Sequence, residues 1–350
     1  IDPIKAAAQR LHYAHEGVIH FGIIPRTNRG IFAINELPDL QPRIQVGLFN
    51  IMQEKDIQIR GFPVRIPLDV VIVYSANPED YTNRGNIITP LKDRIGSQIM
   101  THYPHDIKTG MKITAQEARE KRDGGREIYV PHLFREIIEQ IAFEARQSEF
   151  VDQKSGISVR MTITSLENLI SNAERRAIKN NEEDVVPRIC DLYATLNSII
   201  GKIELVYEGE QEGETNVARA LIGKAVKTIF QNYFPEPYTS MKKGERIYTD
   251  IVNWFKNNQS IDISDEMNTN AYLKELQKVK GLKQIVNHFM KIDESSRPAE
   301  LGAAMEFVLD ALHQSSMLSK DIIDSRTTYK DMLSTMMSSL HSDEDDFFSE

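Results

Sequence analysis

Two short apolar runs constrain this chain most. Ile31-Phe32-Ala33-Ile34 ends in Asn35-Glu36, and Val70-Val71-Ile72-Val73-Tyr74 ends in Ser75-Ala76-Asn77-Pro78. The second is nearly continuous in apolar content, as expected of a strand in a parallel sheet covered on both faces. Both are followed directly by polar residues. Open α/β sheets place their chemistry just past the carboxyl ends of such strands. A third stretch, Thr89-Pro90-Leu91-Lys92-Asp93-Arg94-Ile95-Gly96, follows a loop rich in turn residues, among them Asn83, Gly85 and Asn86. This order predicts an α/β fold whose working residues lie between positions 30 and 99.

The 350 residues suggest about two domains. Hydrophobic content of 41% with 27% charged residues is ordinary for a globular protein. No apolar run approaches the roughly 18 residues that span a bilayer, and no charged-then-apolar leader opens the chain. These features predict no membrane partner and a cytoplasmic location. The chain opens on Ile1-Asp2-Pro3 rather than Met, which reads as a fragment or a processed form. Cys190, the single cysteine, excludes an internal disulfide and fits a reducing compartment. A net charge of −9 argues against a nucleic-acid partner, because such proteins carry a basic face. Part of the acidic excess sits in Ser342-Asp343-Glu344-Asp345-Asp346, which reads as a solvated tail needing no function.

Periodicity predicts a helix over 2–16, a strand at 31–34, and a helix over 44–52 with Pro42 near its first turn. Residues 56–60 and 64–66 alternate about Gly61-Phe62-Pro63 and predict a hairpin. A second strand follows at 70–76. The pattern becomes helical from about 115, with helices at 133–146, 163–177, 185–200 and 218–230. Thr162 or Thr164 is the expected cap of the second of these. Gly209-Glu210-Gln211-Glu212-Gly213-Glu214 is an acidic break, and Pro235-Glu236-Pro237 a candidate boundary. Further helices, such as 272–279 and 303–312, fill the rest. The expected organisation is a core over 1–106, a helical lid and extension over 107–235, and a helical region with an acidic tail over 236–350.

Five polar residues are the chemical candidates. A carboxylate at Glu36, just beyond a strand, can polarise a water for attack on a γ-phosphate. Asn35 stands where a nucleotidase usually holds Mg²⁺ with Asp; an amide is the poorer ligand for a hard cation. Asn77 can orient the same water. Arg94 can reach a neighbouring subunit's phosphates, and Arg160, at the start of a helix, can sense a bound γ-phosphate. Each also has an ordinary reading. Asn35-Glu36-Leu37-Pro38 can simply turn the chain, and Asn77-Pro78 can open a turn. Arg94 can pair with Asp93, and Arg160 can be solvated. His12 with His15, and His102 with His105, lack the further ligand a zinc site needs. No G-x-x-x-x-G-K-[ST] loop occurs in the chain.

The joint order of these residues carries a resemblance. Asn28-Arg29-Gly30-Ile31-Phe32-Ala33-Ile34-Asn35-Glu36 resembles the Walker B segment of AAA+ ATPases. Val73-Tyr74-Ser75-Ala76-Asn77-Pro78-Glu79 is similar to their sensor 1 strand, and Pro90-Leu91-Lys92-Asp93-Arg94-Ile95-Gly96 to their arginine-finger turn. The magnesium chelatase subunit I and MoxR-like branch matches best, and Ile1-Asp2-Pro3-Ile4-Lys5-Ala6 also resembles a segment of that branch. The resemblance is strong over 1–105, extends through about 205, and places Arg160 at the sensor 2 arginine. It implies a partial AAA+ parallel-sheet core followed by an all-α lid and a C-terminal helical region. It further implies ATP and Mg²⁺ as cofactors and a homo-oligomeric ring, usually a hexamer. Hydrolysis would remodel a partner protein. Glu36 would activate water, Asn77 position it, Arg94 act in trans and Arg160 sense nucleotide, with Asn35 at the Mg²⁺ position. The missing phosphate-gripping loop and Asn35 imply that this chain alone hydrolyses ATP poorly or not at all. A non-catalytic scaffold on the same frame is the alternative, and a DNA-associated regulator a third reading that the acidic charge opposes.

Overall fold

The computed structural model describes residues 2–12, 15–58, 65–77, 86–153, 155–237, 247–292, 297–323 and 325–332. The chain divides into two compact units, 1–102 and 103–350. Both helices and strands are present, so the α/β class expected from the sequence holds.

Unit one opens with α1 (Pro3–Gln9), capped by the Asp2 carboxylate on the Lys5 N–H at 3.0 Å. It ends at Gln9, short of the predicted 16, because Arg10 turns left-handed at φ 52°. The short α2 (Ile23–Arg26) precedes β1 (Gly30–Ile34). Next comes α3 (Pro42–Gln53), with proline at its start as the sequence indicated. The hairpin forms from β2 (Asp56–Gln58) and β3 (Arg65–Pro67), paired antiparallel with Ile57 opposite Ile66. Its turn lies outside the described residues. The second apolar run is β4 (Val70–Tyr74), and α4 (Thr89–Lys92) follows.

β1 and β4 pair parallel, Gly30 opposite Val70 and Ile34 opposite Tyr74. Ile34, Val70, Ile72 and Tyr74 pack with Leu37, Leu48 and Leu91 in the unit's core. The sequence predicted burial on both faces, and here the structure differs. Ile31 is 70% exposed, Val71 60% and Val73 50%. Helix α3 supplies core residues to one side only, so alternate residues of each strand meet solvent.

Unit two has a large core running from Val130 to Tyr329, and a small separate cluster of Ala173, Ala177 and Val185. Helix α5 (Ile107–Glu117) begins earlier than the predicted helical onset, capped by Asp106. The two-residue β5 (Glu127–Ile128) leads to α6 (His132–Gln147) and then α7 (Arg160–Asn180). Thr162 and Thr164 do not cap α7. They lie inside it, donating to the Val159 and Arg160 carbonyls at 3.0 and 2.8 Å. The predicted helix over 185–200 is broken into β6 (Asp184–Val185), α8 (Ile189–Tyr193) and α9 (Leu196–Ile200). β6 pairs parallel with β5. The acidic break is itself the short α10 (Tyr207–Glu212), ended by Gly213 at φ 84°, after which α11 (Glu214–Tyr233) crosses the core.

The last stretch mixes α12 (Thr249–Lys256), α13 (Thr269–Leu276), α14 (Leu282–Met290) and α15 (Pro298–Gln314) with strands the sequence reading did not anticipate. β7 (Ile261–Ser264), β8 (Ser319–Ile323) and β9 (Arg326–Lys330) form an antiparallel sheet in the order β7-β9-β8. Among the described residues no helix is long and apolar enough to cross a membrane.

Candidate functional site

The site is built on the β1–β4 pair, and its first requirement is alignment. The Asn28 side-chain oxygen accepts the Asp69 N–H at 2.8 Å, and the Arg29 N–H donates to the Asp69 carbonyl at 2.5 Å. Arg29 takes φ 61° to make that turn. A Cβ at position 30 would stand 2.9 Å from the Thr27 carbonyl oxygen, so glycine is required where β1 begins. The Asn-Arg-Gly tripeptide thus sets the strand register at its entry.

That register brings the two polar ends together. The Ser75 N–H donates to the Ile34 carbonyl at 2.9 Å, and the Leu37 N–H to the Ser75 carbonyl at 2.9 Å. The Ser75 hydroxyl stands between both motifs: its Oγ accepts the Glu36 N–H at 3.2 Å and donates to Asn35 Oδ1 at 3.3 Å. Glu36 is left-handed, at φ 51° and ψ 57°. A non-glycine residue there is uncommon and persists where neighbours hold it. Leu37, completely buried, and the four hydrogen bonds of Ser75 provide that hold. Asn35, Glu36, Ser75 and Asn77 are all exposed and line the carboxyl-terminal rim of the strand pair.

Arg94 sits in the turn after α4. Its Nη1 donates to the Pro90 carbonyl at 2.6 Å, and its guanidinium lies 4.7 Å from the Phe49 ring centroid. The ordinary reading of an Asp93 ion pair is not what holds it. Its Nε is buried without a hydrogen-bond partner among the described residues. Arg160 belongs to unit two, as the first residue of α7. It is exposed, and its side chain makes no hydrogen bond or ion pair among the described residues. The structure therefore brings Asn35 and Glu36 against the Ser75–Asn77 rim, places Arg94 in the same unit, and places Arg160 in the other.

Sequence reasoning missed Gln45. This side chain is completely buried. Its Nε2 donates to the Leu40 carbonyl at 2.8 Å and the Asn86 carbonyl at 3.1 Å, and its Oε1 accepts the Ile88 N–H at 3.0 Å. It fixes the segment leading into α4 and the Arg94 turn. The signal was present: Gln45, Leu48 and Met52 recur at helical spacing, so an amide stands on the face that turns inward.

Chemically the rim offers one carboxylate, two amides and one hydroxyl, each with an oxygen donor open to solvent. Such donors fit a hydrated hard cation met through water, with remaining ligands from a phosphate. Asn35 brings no charge to that task, and Glu36 alone can accept a proton from water. Among the described residues no group of three or more His, Cys, Asp or Glu could hold a metal directly.

No family model matches the chain. A curated relative, the archaeal Lon protease of Thermococcus kodakarensis, is 28% identical over 185 residues, 49% of this chain. The match spans 28% of that relative's length. Among solved structures, a candidate ATPase from Cytophaga hutchinsonii is similar at 18% identity and a TM-score of 0.23. It covers 55% of this chain and 64% of that one.

Proposed function

We propose that unit one carries the water-activating part of an AAA+ ATP hydrolase of the magnesium chelatase subunit I or MoxR-like branch. One observation carries the reading. Two parallel strands end side by side, and a single hydroxyl, that of Ser75, ties the Asn35-Glu36 turn to the strand leading to Asn77. The similarity to an archaeal Lon protease supports the AAA+ class. In this reading Glu36 takes the proton from the attacking water, Asn77 orients it, and Asn35 meets Mg²⁺ through water. Arg94 neutralises charge on a neighbouring copy's phosphates, and Arg160 reports bound nucleotide. Bound Mg²⁺ and ATP would supply the electrophilic phosphoryl group. The copies form a ring, and the turnover remodels a partner protein.

The test measures MgATP binding by calorimetry and phosphate release together, on an N-terminally extended chain that supplies the phosphate-gripping loop and on its Glu36→Gln and Arg94→Ala variants. The expected result is retained binding with hydrolysis down by roughly 10²-fold or more in each variant. Unchanged turnover in Glu36→Gln removes the catalytic assignment. Asn35 favours a second reading, a non-catalytic scaffold on the same frame. That reading expects no turnover in the extended chain and no loss in either variant.

A further inference from the structure

Unit two carries a groove of about 860 Å³ along α5. The inner face of α5 is fixed: Gly110 lies against the Glu139 carboxylate, and Thr114 bonds both Glu139 and Thr162. The opposite face, Lys108, Met111, Lys112 and Ala115, recurs at helical spacing and lines the groove. Arg119, Lys121 and Arg135 add three more cations, and Glu120 is the one carboxylate of the lining; Arg119 is paired outside it with Asp123 at 3.0 Å. The Glu120 carboxylate is already taken by both Arg135 nitrogens, at 2.6 and 2.7 Å. Lys112 and Lys121 have no ion-pair partner among the described residues. Lys108 has only the field of Asp106, whose oxygens already accept from Thr109. Met111, Ala115 and Ala118 give the groove an apolar floor. This concentration of positive charge stands in a chain of net charge −9.

The ligand that complements it is acidic and apolar at once. Residues 342–350 read Ser-Asp-Glu-Asp-Asp-Phe-Phe-Ser-Glu: four successive carboxylates, then two phenylalanines. We propose that this acid-rich segment of the same chain docks in the α5 groove. Its carboxylates meet Lys108, Lys112 and Lys121, and Phe347 and Phe348 cover the Met111–Ala115 floor. Met332, the last described residue, precedes Asp343 by a stretch of chain that extends to roughly 35 Å. That reach is about twice the ~18 Å radius of gyration of a compact unit of this size. Tethering in one chain supplies an effective concentration on the order of millimolar, enough for a weak charged contact to be populated.

Paired spin labels on the full chain test this, at Gln116→Cys on α5, outside the groove lining, and at Ser349→Cys. Burial pushes the native Cys190 thiol up, so it labels poorly. The expected result is a narrow population of short distances, because the docked segment lies along the helix that carries Gln116. It disappears near 1 M salt, where screening acts over about 3 Å. It also disappears in Lys108→Glu/Lys112→Glu, and returns when Asp345→Lys/Asp346→Lys is added. Should the groove variant misfold, Asp343→Asn/Asp345→Asn/Asp346→Asn alters no described residue and is expected to lose the population equally. A broad distribution in wild type overturns the proposal, as does a short population indifferent to salt or to Lys108→Glu/Lys112→Glu. Loss of the population on dilution with unlabelled protein assigns it to a neighbouring copy and overturns docking within one chain.

Discussion

Two residues decide how unit one presents its chemistry, and neither is a candidate catalyst. Ser75 holds the left-handed turn at Glu36, and Gln45 holds the approach to Arg94. Gln45→Leu keeps the volume but leaves the half-buried Ile88 N–H and Leu40 carbonyl without their amide partner, while the exposed Asn86 carbonyl turns to water. The expected penalty is about 1 kcal/mol, which appears as roughly 5-fold faster hydrogen exchange at the Ile88 amide. The sequence showed Asn35, Glu36, Asn77 and Arg94 because each falls within a recognisable local order. It did not show Gln45's role, because that role depends on Asn86 and Ile88, more than forty positions away. Nor did composition reveal that Arg94 rests on Phe49, since that contact needs α3 folded against the turn.

At the scale of elements, local signals were read well and long-range ones poorly. Proline placement and apolar spacing gave α3 and α6 within one or two residues. The stretch over 185–200 has helical periodicity but breaks, and the break is held by a buried ion pair. Arg176 of α7 donates both Nη1 and Nη2 to Asp191 of α8, at 2.8 and 2.9 Å, and the Arg188 N–H donates to the same carboxylate at 2.7 Å. Asp191→Asn leaves the Arg176 charge buried and uncompensated. The expected loss is about 3–5 kcal/mol in urea unfolding followed by Trp254 fluorescence. The β7-β9-β8 sheet escaped notice because its strands are four or five residues long; β7 pairs with β9 across more than sixty positions, and β8 joins β9 as a short local hairpin. Those strands and α15 enclose Glu306, whose neighbours are Tyr272, Arg188, Asp310 and Lys320. Burial raises its carboxyl to about 7 from an ordinary 4.5. The folded state therefore binds an extra proton between those values, so stability falls as pH rises through that window and levels off above it. Glu306→Gln is expected to flatten that slope in the same urea measurement at pH 5, 6, 7 and 8.

The whole molecule is uneven. Unit two buries a large core, whereas unit one leaves Ile31, Val71 and Val73 largely in solvent. The three side chains share one face of the strand pair, where Ile31 stands opposite Val71 and Ala33 opposite Val73. Val71→Lys is expected to change stability by less than about 0.5 kcal/mol, because the position is already exposed. It is expected to reduce binding of a hydrophobic dye, and unchanged dye binding would place the apolar surface elsewhere.

The clamp made by Gln45 also bears on how such a chain can change over generations. Strand pairing fixes the backbone up to Ser75, and Gln45 fixes it again from Asn86. Because both flanks are anchored separately, insertions or deletions between Asn77 and Asn86 need not shift Glu36 or the Arg94 turn. Variation in length can accumulate there while the geometry of the rim is inherited unaltered.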